Sequence, residues 1–485
     1  MFRLNFAGAA RTAAALVILP ALAGRAAQAQ EGPWALTNAR IQTVTHGVIE
    51  HGTIVIRNGL IAAVGADVTA PAEARVLDLG GRTVSPGLID LTSSIGLPAA
   101  PAATAGGPGG GGAAAAAAAG PGGPANNGLD PDRVVADEYR PAAADVKAAR
   151  DAGLTAVLSA PSRGAFRGLS ALVPLRDSAG TKDVLRSPVA LHMGYQGIQG
   201  GGFGGGFARQ YPATLLGVIA YERQKFYDAQ RQAMLLDRYR ANPRGMERPA
   251  NDNALAALIP VVKGELPVFF AANNENEIDR AINIAHEFNL KLTIVGATEG
   301  FRVTDALVRL RRPVVVSVDF PRSAEVTGWA YRGAERLPAD DSATADSAAQ
   351  RVIQGNPAAL MQAGVRFALA SGGTSGSDFI SNVKKAVAAG LPRDSALAAV
   401  TIRAAEVAGV AEQLGSIEAG KVANLVVSDN DLLSDSGRVR MVFVDGTRYT
   451  VDAATTPNGG PGGRGRGRPG ARVPNEDETM GEKRP

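Results

Sequence analysis

Along residues 34–84, apolar positions alternate with polar ones or come in short runs, and glycines punctuate them. Ala35 to Val44, Gly52 to Arg57, Leu60 to Val64 and Arg75 to Leu79 read as strands. Asn58-Gly59 between two of them is a hairpin signal, because both residues tolerate the positive φ that a tight turn demands. The same style returns at residues 415–451, where Asn424 to Ser428, Val439 to Val444 and Thr447 to Val451 read as strands and Asp445-Gly446 as a turn. Strand-rich pieces at opposite ends of a chain predict one small sheet domain.

Between them the period changes. Leu154 to Ser159, Pro267 to Ala271, Lys291 to Val295, Pro313 to Val318 and Val365 to Ala370 are short apolar strands. Helical patterns separate them: Pro141 to Asp151, Asn276 to Phe288, Val303 to Arg311, Ala348 to Gln362, Ile380 to Ala389 and Asp394 to Ala408. Alternating strand and helix predicts a parallel sheet with helices outside it, and the length suits a β/α barrel. Residues 190–265 are less regular, with a long amphipathic stretch from Leu215 to Tyr239.

Composition trims this picture at both ends. Arg3 and Arg11, the apolar run Ala13 to Ala23, and Ala27-Gln28-Ala29 form a secretory leader over residues 1–29. The apolar run is too short to span a membrane, so export to the periplasm without a stable anchor is expected. The leader carries Arg3, Arg11 and Arg25 and no acids, so removing it takes the formal charge from +4 to +1. A general affinity for nucleic acid does not follow. With no cysteine there is no disulfide framework, thiolate zinc site or cysteine nucleophile. Residues 99–128 (Gly/Ala/Pro), 200–207 (Gly/Phe) and 457–485 (Gly/Arg/Pro) are of low complexity and bury too little apolar surface to offset ordering. The domain reading is a composite β-sandwich from residues 30–84 and 415–456, and a barrel over 85–414 carrying the 99–128 insertion.

Several motifs then converge. Ser85-Pro86-Gly87-Leu88-Ile89-Asp90 follows Leu60-Ile61-Ala62-Ala63-Val64-Gly65, and Gly415 to Val427 reads GSIEAGKVANLVV. In this order the chain resembles the amidohydrolase superfamily, in its imidazolonepropionase-like branch. The resemblance implies a TIM-like (β/α)8 barrel with a small β-sandwich from the two chain ends. It also implies hydrolysis of carbon–nitrogen bonds other than peptide bonds, with zinc or another divalent metal. Gly415 to Lys421 also approaches a phosphate-binding loop, but Val422 stands where Ser or Thr should follow and a strand where a helix should begin.

The ion in such relatives is held by histidines after the first strand and on the middle strands, and by a final aspartate. Here those positions fall on Thr92, Ser94, Ala271, Gly296 and Gly372. Alanine and glycine carry no donor atom, and hydroxyls are poor substitutes for imidazole or carboxylate. No metal or other cofactor is therefore expected. Asp90, His192 and Glu299 are the candidate catalytic groups, and Thr92, Ser93, Ser94, Asn273, Asn274, Ser371 and Thr374 the candidate pocket lining at the strand ends. Capping is the competing role for the Asn and Ser residues. His46, His51 and His286 read as ordinary surface or packing residues.

Three functional readings follow. The first is a catalytically degenerate hydrolase that binds a small-molecule ligand or an intact paralogue. The second is an active hydrolase with an atypical or metal-independent site, and the third an envelope interaction protein working through its Gly-rich segments.

Overall fold

The computed structural model describes residues 33–98, 129–177, 180–196, 212, 214–320 and 349–451. The expectations for the leader, the 99–128 insertion, the Gly/Phe patch and the 457–485 tail lie outside the described residues.

The chain opens with Trp34–Gln42 (β1), Val48–Arg57 (β2), Leu60–Gly65 (β3), Arg75–Asp78 (β4) and Thr83–Pro86 (β5). Leu88–Ser93 (β6), Val135–Glu138 (α1), Ala143–Asp151 (α2), Leu154–Ser159 (β7), Phe166–Leu169 (β8), Ala171–Pro174 (β9) and Leu191–Gly194 (β10) follow. Next come Leu215–Ala241 (α3), Asn253–Val262 (α4), Val268–Ala272 (β11), Glu275–Phe288 (α5), Leu292–Gly296 (β12), Thr304–Leu310 (α6) and Val314–Ser317 (β13). Asn356–Gln362 (α7), Phe367–Ala370 (β14), Gly376–Ala388 (α8), Arg393–Ala399 (α9) and Ile402–Ala408 (α10) lead to Leu425–Ser428 (β15), Val439–Val444 (β16) and Thr447–Thr450 (β17).

Strands from the two chain ends lie in one sheet. It is mixed and eight-stranded, ordered β17-β16-β15-β5-β1-β2-β3 with β4 paired to β1. β5 and β15 join the two ends, antiparallel, with Ser85 opposite Val426. A lone Leu60–Val422 bridge brings the far edge round. The sheet thus wraps a single core that includes Leu36, Ile54, Leu425 and Phe443.

The central strands correct the expectation of one parallel eight-stranded ring. They form two hydrogen-bonded arcs, β6-β7-β9 and β14-β13-β12-β11-β10-β8. Within the second arc β10 to β14 run parallel, whereas β8 is antiparallel to β10 and β9 is antiparallel to β7. β8 and β9 are consecutive in the chain, so one antiparallel segment bridges the arcs. The sequence pattern predicts no strand over residues 166–174. The arcs meet again where β14 lies beside β6, without a ladder.

Alternation along the strands separates two apolar layers. Ile89, Leu158, Leu172, Phe269, Val295, Val315 and Ala368 share an inner cluster. Leu88, Phe166, Leu191, Phe270, Ile294, Val314 and Phe367 face outward against the helices. Helix α5 shows how the helices fit. Asn274 caps it by accepting from Glu277 N–H at 3.0 Å, Asn289 ends it in the left-handed region, and Ile278, Ala281, Ile282, Ala285 and Phe288 make its buried stripe. The expected single helix over Asp394 to Ala408 is two, because Thr401 leaves helical geometry at φ −128° and ψ −95°. Arg150 pins the domains together: its guanidinium pairs with Asp177 at 2.7 Å and lies 3.6 Å from the ring centre of Tyr449 on β17.

Candidate functional site

The carboxyl ends of the parallel strands form the mouth of the inner space, where sites of α/β folds collect. Asp90, at the end of β6, is buried there at 3% exposure. It accepts from Ser371 N–H at 2.8 Å, Ser371 Oγ at 2.7 Å and Thr92 N–H at 3.2 Å. Thr92 Oγ1 in turn accepts from Gly372 N–H at 2.8 Å, and Ser371 Oγ accepts from Gly373 N–H at 3.0 Å. Side chains thus close the β6–β14 seam that lacks backbone pairing. Burial pushes the Asp90 carboxyl above the usual carboxylate range, while the hydrogen bonds from Ser371 and Thr92 pull it down.

The other expected residues divide between mouth and caps. Ser93 Oγ accepts from Ile95 N–H at 3.1 Å, Thr374 Oγ1 donates to Ser371 O at 2.9 Å, and Ser94 is exposed. Thr298 Oγ1 donates to Asn273 Oδ1 at 3.4 Å, and Asn273 N–H donates to Glu277 Oε2 at 2.8 Å. Glu299 accepts from Glu275 N–H at 3.3 Å at the start of α5, which favours a carboxylate through the helix dipole. It shares no hydrogen bond with Asp90. In the loop resembling a phosphate cradle, Lys421 Nζ is engaged by Ser416 Oγ and Glu418 Oε1.

The donor set tests whether the metal implied by the resemblance would fit. A Cβ added at Gly296, where φ is +104°, would collide with Asn273 Oδ1. One added at Gly372, where φ is +66°, would lie 2.6 Å from Asp319 Cγ. The backbone at these two positions is shaped for glycine, and a ligand side chain would need it to move. Among the described residues no group of three His, Cys, Asp or Glu side chains is placed to hold an ion. The described residues at the mouth do not fit a divalent metal.

Among the described residues the inner space instead holds a buried guanidinium beside a single imidazole. His192 on β10 is 6% exposed, faces inward with its ring 5.3 Å from that of Phe269, and its Nε2 has no hydrogen-bond partner. His46, His51 and His286 are all exposed. Arg167 was not among the sequence candidates. The β8–β10 ladder pairs Met193 with Phe166 and His192 with Gly168, so Arg167 is the extra residue of a bulge. Bulges re-aim a side chain, and here the guanidinium comes over the end of β10. A Cβ at Gly194 would overlap it and would lie 3.3 Å from Ala271 Cβ. Burial draws Arg167 down to about 10, which leaves it charged at neutral pH. Burial, aided by Arg167, pushes the His192 imidazole down to about 3, so it is neutral there.

Glu222 was missed as well. On α3 the buried positions are Val218, Glu222, Phe226, Ala229 and Ala233, so a carboxylate stands within an apolar stripe of helical spacing. That spacing was the available signal. Both Glu222 carboxylate oxygens and the nearby Tyr195 hydroxyl are buried without partners. Burial raises Glu222 well above its usual range, against the pull of Arg167, and burial with Glu222 raises Tyr195. A raised folded-state value means that native stability falls as pH rises through it. The advantage of Glu222→Gln over wild type should therefore grow from pH 5 to pH 8 in urea unfolding. An advantage that shrinks with pH would contradict this.

Residues 270–449 match the model of the amidohydrolase family. The imidazolonepropionase of Klebsiella pneumoniae (strain 342) is 44% identical over 59 residues, 11% of this chain and 14% of that protein. That of Geobacillus kaustophilus (strain HTA426) is 49% identical over 51 residues, 9% of this chain and 12% of that protein. An amidohydrolase from Thermotoga maritima MSB8 superposes with a TM-score of 0.68 at 22% identity, covering 86% of this chain and 99% of that one. A Xaa-Pro dipeptidase with bound methionine in its active site gives 0.52 at 15% identity, covering 86% and 100%. At such identities the superpositions speak for the fold, and the family match is carried by strands β11 to β14, the helices between them and the returning strands β15 to β17. Residues 270–449 thus match the amidohydrolase family model, and the α/β fold matches that of a solved amidohydrolase over 86% of the chain.

Proposed function

We propose that this chain is an exported amidohydrolase relative that binds a small polar ligand at its barrel mouth and no longer carries out metal-dependent hydrolysis. The two arcs act as a single β/α barrel, closed by the Asp90–Ser371–Thr92 seam. Carbon–nitrogen bond hydrolysis belongs to its ancestry, as the resemblance to imidazolonepropionases suggests. The observation that carries the reading is the lining of the mouth. Hydroxyls, an amide, a guanidinium, a lone imidazole and the hydrogen-bonded Asp90 carboxyl stand there, and the five positions expected to hold ligands carry Thr92, Ser94, Ala271, Gly296 and Gly372. A metal would lower the pKa of bound water and polarise a carbonyl, and no described group here replaces both roles.

The test is metal analysis of protein purified and then equilibrated with zinc, alongside a screen of amide, lactam and dipeptide substrates. We expect sub-stoichiometric zinc and no chelator-sensitive turnover. One zinc per chain together with hydrolysis lost on chelation would sink the proposal. Export is checked by fractionation, with the mature chain expected to begin near Gln30.

A further inference from the structure

We infer that Arg167 forms a carboxylate-binding site at the barrel mouth, with its guanidinium beside Ala271 and the His192 ring on the same inner face. The inference rests on the proposed function, in which no metal cation occupies the mouth, and names the ligand class for that same space.

Three observations carry it. The first is placement. The bulge at Arg167 turns a long cationic side chain inward, against the Gly194–Ala271 corner where the second-strand-set histidine of the resembling family would stand. Gly194 is what makes room, since any Cβ there would overlap the guanidinium. The second is availability. Arg167 Nε donates to Gly164 O at 3.1 Å, and the neighbouring Glu222 carboxyl leaves both its oxygens without hydrogen bonds. The paired terminal nitrogens of the fork are therefore not spent on that carboxylate. The third is the unpartnered Nε2 of His192, buried on the inner face one strand from Arg167. A buried polar atom without a partner is costly and points to a missing one. A neutral imidazole beside a guanidinium suits a carboxylate. The planar fork matches its two oxygens, and the imidazole adds a hydrogen bond without a competing charge. Asn273, Thr298 and Ser317 at the neighbouring strand ends supply polar contacts for the remainder of such a ligand.

Nitrogen-15 NMR of the four histidines reads this directly in the full-length protein. Sodium propionate would be titrated at ionic strength held constant with sodium chloride. We expect saturable shifts of the His192 ring signals, with those of His46, His51 and His286 unmoved. In Arg167→Gln the affinity should fall tenfold or more. Arg167→Lys keeps the charge without the fork, so it should bind several-fold more weakly than wild type. Unmoved His192 signals in wild type, or equal propionate affinity in wild type and in either variant, would overturn the inference. Should Arg167→Gln not fold, the comparison with Arg167→Lys decides alone. Parallel zinc titration separates the two proposals. Stoichiometric zinc at the mouth defeats the metal-free reading. Absence of both zinc and propionate binding defeats the carboxylate site only.

Discussion

Replacing His192 with glutamine should make the protein lose less stability on acidification. The imidazole is buried and its pKa is pushed down to about 3, whereas an unfolded histidine titrates near 6.5. The sign follows from linkage. Above pH ~6.5 both states are neutral and the group has no pH effect. Between about 6.5 and 3 the unfolded chain takes up a proton that the native one refuses, so wild type loses about 1.4 kcal/mol per pH unit from this residue. Between pH 6.5, where the unfolded imidazole is half protonated, and pH 4.5 the loss from this source is about 2.3 kcal/mol. Asp90 and Glu222 have raised values and act in the opposite direction, but equally in both variants. Urea unfolding at pH 6.5 and 4.5 isolates the term as a difference of differences, in which the lost ring contact with Phe269 cancels. If His192→Gln weakens as much as wild type over that interval, His192 is not buried as the structure shows.

Asp90→Ala should cost about 3 kcal/mol or more, because it leaves several buried donors at the seam without an acceptor. Those donors are Ser371 N–H, Ser371 Oγ and Thr92 N–H. Asp90→Asn keeps the shape and one acceptor oxygen and sheds a carboxylate that burial disfavours, so it should cost about 1 kcal/mol. The two variants together separate a structural acceptor from a catalytic acid. Denaturant midpoints give the totals, and hydrogen exchange at Ser371 and Gly372 should report local opening of the seam in Asp90→Ala. A loss under about 0.5 kcal/mol for Asp90→Ala, within the range of an ordinary surface change, would mean that the β6–β14 seam is not held by this network.

Much of the architecture was legible because it rests on local periodicity. The β1 to β3 hairpins, the return of β15 to β17, the cap at Asn274 and the strands β11 to β14 all follow from patterns within a dozen residues. The antiparallel β8–β9 segment was not legible, because strand direction is set by which neighbour it bridges. Asp90 and the glycines at 296 and 372 were legible as positions, yet their partners lie on other strands. Arg167 and Glu222 were overlooked for different reasons. An arginine in a short loop-flanked strand looks like a surface residue until a bulge turns it inward. A glutamate in a long helix looks solvated unless its place in the buried stripe is counted.

The sequence by itself determined most of the strands and helices, that the two chain ends carry matching strand-rich segments, and that Thr92, Ser94, Ala271, Gly296 and Gly372 lack imidazole or carboxylate. These are properties of side-chain chemistry and short-range spacing. Only the tertiary structure decided that Asp90, Thr92 and Ser371 weld β6 to β14, that His192 is held neutral, and that the Arg167 guanidinium lies against the Gly194–Ala271 corner. The physical reason is that hydrogen bonding, desolvation and charge coupling depend on distance in space. Residues 90 and 371, or 167 and 271, become neighbours only after the chain has closed on itself.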